Sequence, residues 1–391
     1  MARSIQILEF FVNVLILVND ILYYTRTMVR EFVSLRDAFG RNPNYHHVVL
    51  WGPGFDGWEM TDLQVPLDRK IQEKFLDRDY FDLIVLFPGN QFNTSYYHRE
   101  PGKSKKTALV MYLFEGRDYM SLTTIDHYWL DIAFYPSSTE LYYDTLTKWP
   151  SWQEMVVSQL TQVADLRCSG DVNSFKPTDI LYTGKAEPKE FYPIRERFLS
   201  LIQRGLLNAK VRSHPGYFLQ VTDEDIIQRK VDLDIQDAQF QDYIHDLQTA
   251  KIALCGGSLN RVQTTRIFEA ALAGALVVGD IPADEESILR KFMVDVSPDE
   301  SDERIVDTIH WWLDHEERRR AKALVGQKIV LEKYTWDAAV EKTMECYNRW
   351  RAGKYGVWFS EFTLYEDRMR NTQEPPKIEP WYSSYGYKDG K

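Results

Sequence analysis

Short apolar runs, spaced by polar stretches long enough to be helices, constrain this chain more than any other feature. His47-Val-Val-Leu-Trp51, Phe81-Asp-Leu-Ile-Val-Leu-Phe87, Thr107-Ala-Leu-Val-Met-Tyr-Leu113 and Leu130-Asp-Ile-Ala-Phe-Tyr135 are four such runs. A strand that is apolar along its whole length is buried on both faces, so the pattern predicts a parallel sheet covered by helices on either side. The first run follows an Asn42-Pro43-Asn44 turn and leads into Gly52-Pro-Gly54-Phe-Asp56-Gly57. A glycine-rich loop at the carboxyl edge of a sheet suits a ligand, and a tight turn accounts for it equally well.

The pattern restarts after a Gly, Ser, Asn, Asp and Pro-rich linker between Ser169 and Pro177. Ile180-Leu-Tyr-Thr-Gly184 reads as a strand, and Tyr192-Pro193 opens a helix with proline in its first turn. Leu207 to Tyr217 reads as strand plus turn and Phe240 to Thr249 as helix. The thirty residues Lys251 to Asp280 then read as strand, Gly-Gly-Ser turn, helix and strand. A glycine turn feeding a helix N-terminus offers free backbone N–H groups and a positive dipole end, which is where phosphate oxygens bind. Arg261, Arg266 and Glu269 lie around that helix; in an ordinary βαβ unit they are surface charges.

Arg266-Ile-Phe-Glu-Ala-Ala-Leu-Ala-Gly-Ala-Leu-Val-Val-Gly-Asp280 resembles the sugar-nucleotide segment of group-1 glycosyltransferases of GT-B fold, nearest the CgeB-like branch. Gly184, Lys185, Tyr192 and Arg195 extend the likeness, whose order and spacing run from about Tyr182 to Tyr347. The resemblance implies two Rossmann-like domains with an interdomain cleft, a Glu269 contact to the donor's ribose, and a diphosphate held by the turn and basic residues. It also implies a terminal helix, within Thr335 to Trp358, that crosses back to the first domain. The better-known pattern of this family has an earlier glutamate where this chain has Arg261.

The 391 residues suffice for two domains, and 44% hydrophobic with 27% charged residues is ordinary globular composition. A net charge of −11 argues against a nucleic-acid partner. Cys168, Cys255 and Cys346 fit neither a disulfide framework nor a zinc site, which favours a reducing, cytoplasmic compartment. Ile5 to Tyr24 has fifteen apolar residues in twenty, with Gln6, Glu9, Asn13 and Asp20 on one helical stripe. An amphipathic helix is expected there: spanning a bilayer, lying on one, or docked on the protein or another subunit. Glu9, Asn13 and Asp20 weigh against spanning. The expected organisation is therefore a helix over residues 1–40, an acceptor domain over 41–172, a donor domain over 178–345, and a terminal helix with extended tail over 346–391.

Glycosyl transfer requires a stabilised diphosphate leaving group and, often, a base for the acceptor hydroxyl. Gly184, Lys185, Arg195, Arg212, Ser258, Arg261, Arg266 and Glu269 are the donor-binding candidates. Asp118 and Glu115, in Glu-Gly-Arg-Asp, lead the candidate bases, with Asp56 and His127 behind them; His214, near Arg212, is a further catalytic candidate. Each base candidate has a capping or ion-pairing alternative. Asp232-Leu-Asp234 sits in a charged run without the apolar strand of a metal motif, so neither metal nor cofactor is expected. The expected partners are a nucleotide-sugar donor and a glycan or other hydroxyl acceptor. A non-catalytic nucleotide- or glycan-binding relative and a nucleotide-sugar epimerase are the competing readings.

Overall fold

The computed structural model of this chain describes residues 11–18, 29–52, 58, 65–86, 106–112, 130–135, 155–160, 162–186, 192–212, 233–257, 263–282 and 285–358. The first sheet contains β1 (Val12–Leu17), β2 (Tyr45–Trp51), β3 (Leu83–Leu86), β4 (Ala108–Tyr112), β5 (Ile132–Tyr135) and β6 (Val156–Gln159). Helix α1 (Val29–Arg41) joins β1 to β2, and α2 (Leu67–Phe75) precedes β3. The second sheet contains β7 (Thr178–Thr183), β8 (Lys210–Arg212), β9 (Ala250–Leu254), β10 (Leu276–Gly279) and β11 (Met293–Asp295). Its connections carry α3 (Pro193–Gln203), α4 (Leu233–Thr249), α5 (Thr265–Leu272) and α6 (Glu286–Leu289), followed by α7 (Asp302–Asp314), α8 (Glu316–Lys333) and α9 (Trp336–Arg351). Strand β12 (Gly356–Trp358) ends the described chain by pairing with β6.

Every strand pair is parallel, in the orders β12-β6-β5-β4-β3-β1-β2 and β11-β10-β9-β7-β8. Each sheet reverses its direction of growth once, between β1 and β3 in the first and between β7 and β9 in the second. Connecting chain leaves in opposite directions at such a point and opens a crevice at the carboxyl ends of the strands.

The amphipathic helix expected over Ile5 to Tyr24 is corrected by the structure. Residues 12–17 are β1, paired on one side with β2 and on the other with β3. Val12, Val14, Ile16 and Val18 face one core cluster with α1, while Leu15 and Leu17 face another with Trp51 and Ile71. Asn13 belongs to the strand, its backbone N–H donating to Asp82 Oδ2 at 2.9 Å and its side-chain amide to the Tyr80 carbonyl at 3.1 Å. A strand buried on both faces gives the same unbroken apolar run as a buried helix, so periodicity did not separate them. The same burial removes residues 12–18 from any membrane surface or subunit contact. Among the described residues no helix is long and apolar enough to cross a membrane.

Two passages of chain connect the sheets and hold each other. Ala164, outgoing from β6, donates its N–H to the Tyr334 carbonyl at 2.7 Å and accepts from Trp336 N–H at 3.1 Å, making a parallel bridge to Thr335. Beyond it, α9 is capped by the Thr335 hydroxyl and buries Trp336, Val340, Cys346, Tyr347 and Trp350 in the core beneath the first sheet.

Candidate functional site

The reversal point of the second sheet is built from Tyr182, Thr183 and Gly184 at the end of β7, and Cys255, Gly256 and Gly257 at the end of β9. Gly184 has φ +110°, and a Cβ there would stand 1.4 Å from Arg266 Nη1, so only glycine lets the guanidinium lie across the strand end. Arg266 donates to the Thr183 carbonyl at 3.4 Å. Arg195, on the first turn of α3, comes in from the other side and is only 2% exposed. It donates to Gly256 O at 2.8 Å and Lys185 O at 3.4 Å, and its guanidinium lies 4.2 Å over the Tyr192 ring.

The two guanidiniums are close enough to act on each other. Burial first, and then the charge of Arg266, lower Arg195 to about 10. Among the described residues neither arginine has a carboxylate partner at ion-pair distance, and Arg195, a buried cation in that state beside a half-buried one, creates a positive potential that an anion relieves. The Tyr182 hydroxyl, buried at the same strand end, has no hydrogen-bond partner among the described residues. Burial raises its pKa, with Arg195 and Arg266 opposing. The Cys255 thiol is pushed up to about 11 by burial and is no nucleophile at neutral pH. Helix α5 begins beside this cluster with no side-chain cap, the Thr264 hydroxyl donating to Gly256 O at 3.2 Å instead.

Among the expected donor residues, Gly184, Lys185, Arg195 and Arg266 therefore converge, Lys185 with an exposed side chain. Arg212 has another partner: its guanidinium and the Lys210 ammonium both pair with Asp246 on α4. Glu269 is 2% exposed and accepts from the Tyr243 hydroxyl at 2.7 Å. It lines a narrow interdomain cavity with Ser34, Asp165, Phe240, Thr265 and Trp336, whose water-accessible space of about 10 Å³ holds about one water. Gly52, with φ +149°, has a structural cause, since a Cβ there would lie 2.4 Å from Val18 O. Gly54, Asp56, Glu115, Asp118, His127, His214, Ser258 and Arg261 lie outside the described residues. Tyr182 was missed by sequence reasoning; its signal was a hydroxyl two residues before the glycine ending an apolar run.

Residues 228–345 match a family model described as glycosyl transferase-like. The matched segment is glycosyl transferase-like. It contains β9, α5, β10 and Arg266, whereas Arg195 and Gly184 precede it. No curated protein sequence matches the chain. Among solved structures, sucrose-phosphate synthase from Thermosynechococcus elongatus is 12% identical with a TM-score of 0.52, over 87% of this chain and 99% of that one. A glycosyltransferase of avilamycin A biosynthesis is also 12% identical, at TM-score 0.48 over 88% and 98% of the two chains. An Anabaena protein solved in complex with UDP and glucose is 12% identical, at 0.46 over 85% and 99%. The likeness to the synthase is one of fold: two parallel-sheet domains, as in GT-B glycosyltransferases. The glycosyl transferase-like segment set in that fold supports a glycosyltransferase enzyme.

Proposed function

We propose that this glycosyltransferase takes its sugar from a nucleoside-diphosphate donor seated at the carboxyl edge of the second sheet and passes it to a hydroxyl of a glycan, lipid or protein. The observation that carries the reading is the Arg195–Arg266 pair, two cations without a carboxylate partner among the described residues, set beside an uncapped helix N-terminus. In the transfer the acceptor oxygen forms a bond to the anomeric carbon while the bond from that carbon to the phosphate oxygen breaks. The diphosphate leaves with the electron pair, and the acceptor proton passes to a base, for which Asp118 and Glu115 are the candidates. Preformed positive charge at the leaving group lowers the barrier because it needs no reorganisation during the reaction. The same charge supplies what a divalent cation otherwise supplies, so the reaction is proposed to run without metal, in a reducing compartment that suits three buried free cysteines.

Calorimetric titration of the full chain with UDP, GDP, ADP and dTDP, followed by sugar release from the matching nucleotide sugar in EDTA, tests this. At least one diphosphate is expected to bind, and Arg266→Ala to weaken it about 10- to 100-fold, the loss of a charge-assisted contact. Equal affinity in wild type and variant, or no binding at all, overturns the site. Binding without turnover favours the non-catalytic reading, to which Arg261 at the position of the family's earlier glutamate points.

A further inference from the structure

A second cationic pocket lies at the opposite, amino-terminal edge of the same sheet, where Lys176 precedes β7 and Lys251 is the second residue of β9. Its water-accessible space is about 120 Å³, several times what one water requires. Lys176, Lys251, Arg319 and Arg320 line it together with Glu316 and Phe175. The walls therefore carry four cations and one carboxylate, on a chain whose net charge is −11.

The deepest cations are Lys176, 6% exposed, and Arg319, 4% exposed. Lys176 donates to the Gln248 carbonyl at 2.6 Å and the Ala273 carbonyl at 3.1 Å, at the ends of α4 and α5. Arg319 uses Nη1 alone, donating to Trp312 O at 3.4 Å and Leu313 O at 3.1 Å in the last turn of α7. Bracing helix C-termini accounts for those bonds. It leaves the Arg319 Nε and Nη2 donors without a partner among the described residues, and puts no carboxylate at ion-pair distance from either cation. Burial first, then Arg319 and Arg320 against an offset from Asp171, lower the Lys176 ammonium to about 8, as expected of a cation short of counter-charge. At the rim, Arg320 pairs with Glu316 at 2.5 Å and Lys251 with Asp179 at 2.6 Å; all four side chains are at least 32% exposed, so these pairs exchange partners cheaply. The N-cap of α8 makes no side-chain hydrogen bond, and the acidic residues of its first turn, Glu316 and Glu317, offset the positive helix end, so the pocket's positive charge comes from its lysines and arginines.

We propose that this pocket binds a phosphate dianion, either free or as the terminal group of a phosphomonoester, at a site separate from the donor crevice. Arg319, Arg320, Lys176 and Lys251 hold the oxygens, and Phe175, 85% exposed at the rim, offers an apolar face to whatever the phosphate carries. Five or six strand residues, about 15–20 Å at the usual rise, separate the two edges, so both sites can be filled at once. The assignment does not rest on the glycosyl-transfer reading.

Calorimetric titration of the full chain with inorganic phosphate and with glycerol phosphate, at matched ionic strength, tests it on wild type, Lys251→Ser/Arg320→Ser and Arg266→Ala. Phosphate is expected to bind the rim double variant at least about tenfold more weakly than Arg266→Ala, the variant in which the donor crevice's own hold on phosphate is weakened. Tighter binding of glycerol phosphate identifies a phosphomonoester as the ligand, and equal binding identifies free phosphate. Should the double variant unfold, Arg320→Ser replaces it, with hydrogen exchange at residues 172–176 and 316–323 slowed by phosphate in wild type. No binding to wild type, undiminished binding to the rim variants, or loss in Arg266→Ala instead overturns the proposal.

Discussion

Residue by residue, the two cationic clusters differ in what neutralises them. Among the described residues Arg195 and Arg266 hydrogen-bond only to carbonyls at the strand end, whereas Lys176 and Arg319 each brace the ends of helices. That difference has a pH signature at Lys176. The unfolded chain holds this proton up to the ordinary value of 10.5, while the folded chain releases it near 8. Folding thus carries a penalty below pH 8 that fades as pH rises from about 8 to 10.5. Urea unfolding at pH 7, 8, 9 and 10 should show wild type gaining stability relative to Lys176→Met across that window, and a flat difference would count against the depressed ammonium. Legibility at this scale was uneven. Gly184 and Arg266 were readable because a glycine at a strand end and an arginine at a helix start have local causes. The Arg212–Asp246 pair was not, since Asp246 lies 34 residues away and only the packing of α4 on the second sheet, against β7 and β9, brings it near.

At the scale of elements, β1 is the instructive case. Its apolar run is long enough for a helix, yet the chain uses it as an inner strand of a seven-stranded sheet, where both faces require apolar side chains. Leu15 is fully buried in the core cluster that also holds Trp51, Ile71 and Phe81. Leu15→Ala should therefore destabilise the protein by about 2–5 kcal/mol in chemical unfolding. A loss under about 1 kcal/mol would be incompatible with an inner strand. The runs at β2, β3, β4, β5 and β7 were readable as strands because polar, turn-forming or glycine-containing segments bound them closely.

Over the whole molecule, the first sheet depends on residues from both ends of the chain. Strand β1 enters it near the N-terminus, and α9 covers it after the chain has completed the second sheet. Trp350 Nε1 donates to Asp131 Oδ1 at 2.9 Å across 219 residues, and both side chains are buried. Trp350→Phe keeps most of the apolar contact and removes that bond, so it should cost about 1–3 kcal/mol. Hydrogen exchange should quicken at 108–112 and 132–135 as well as near residue 350; a change confined to α9 would show that the first sheet does not rely on it. The bridge from Ala164 to Thr335 ties together the two passages that connect the sheets.

By itself the sequence determined that the chain alternates buried strands with helices, that its second half carries a glycine turn with Arg266 at the helix that follows, and that no cysteine framework staples it. These follow from local pattern, which depends on neighbours in the chain. Only the tertiary structure decided that residues 12–17 are an inner strand, that Arg195 is buried against Arg266 while Arg212 serves Asp246, and that Glu269 faces a cavity the size of one water. Those outcomes depend on which surfaces meet across dozens to hundreds of residues, and burial and ion pairing are properties of the meeting rather than of either segment alone.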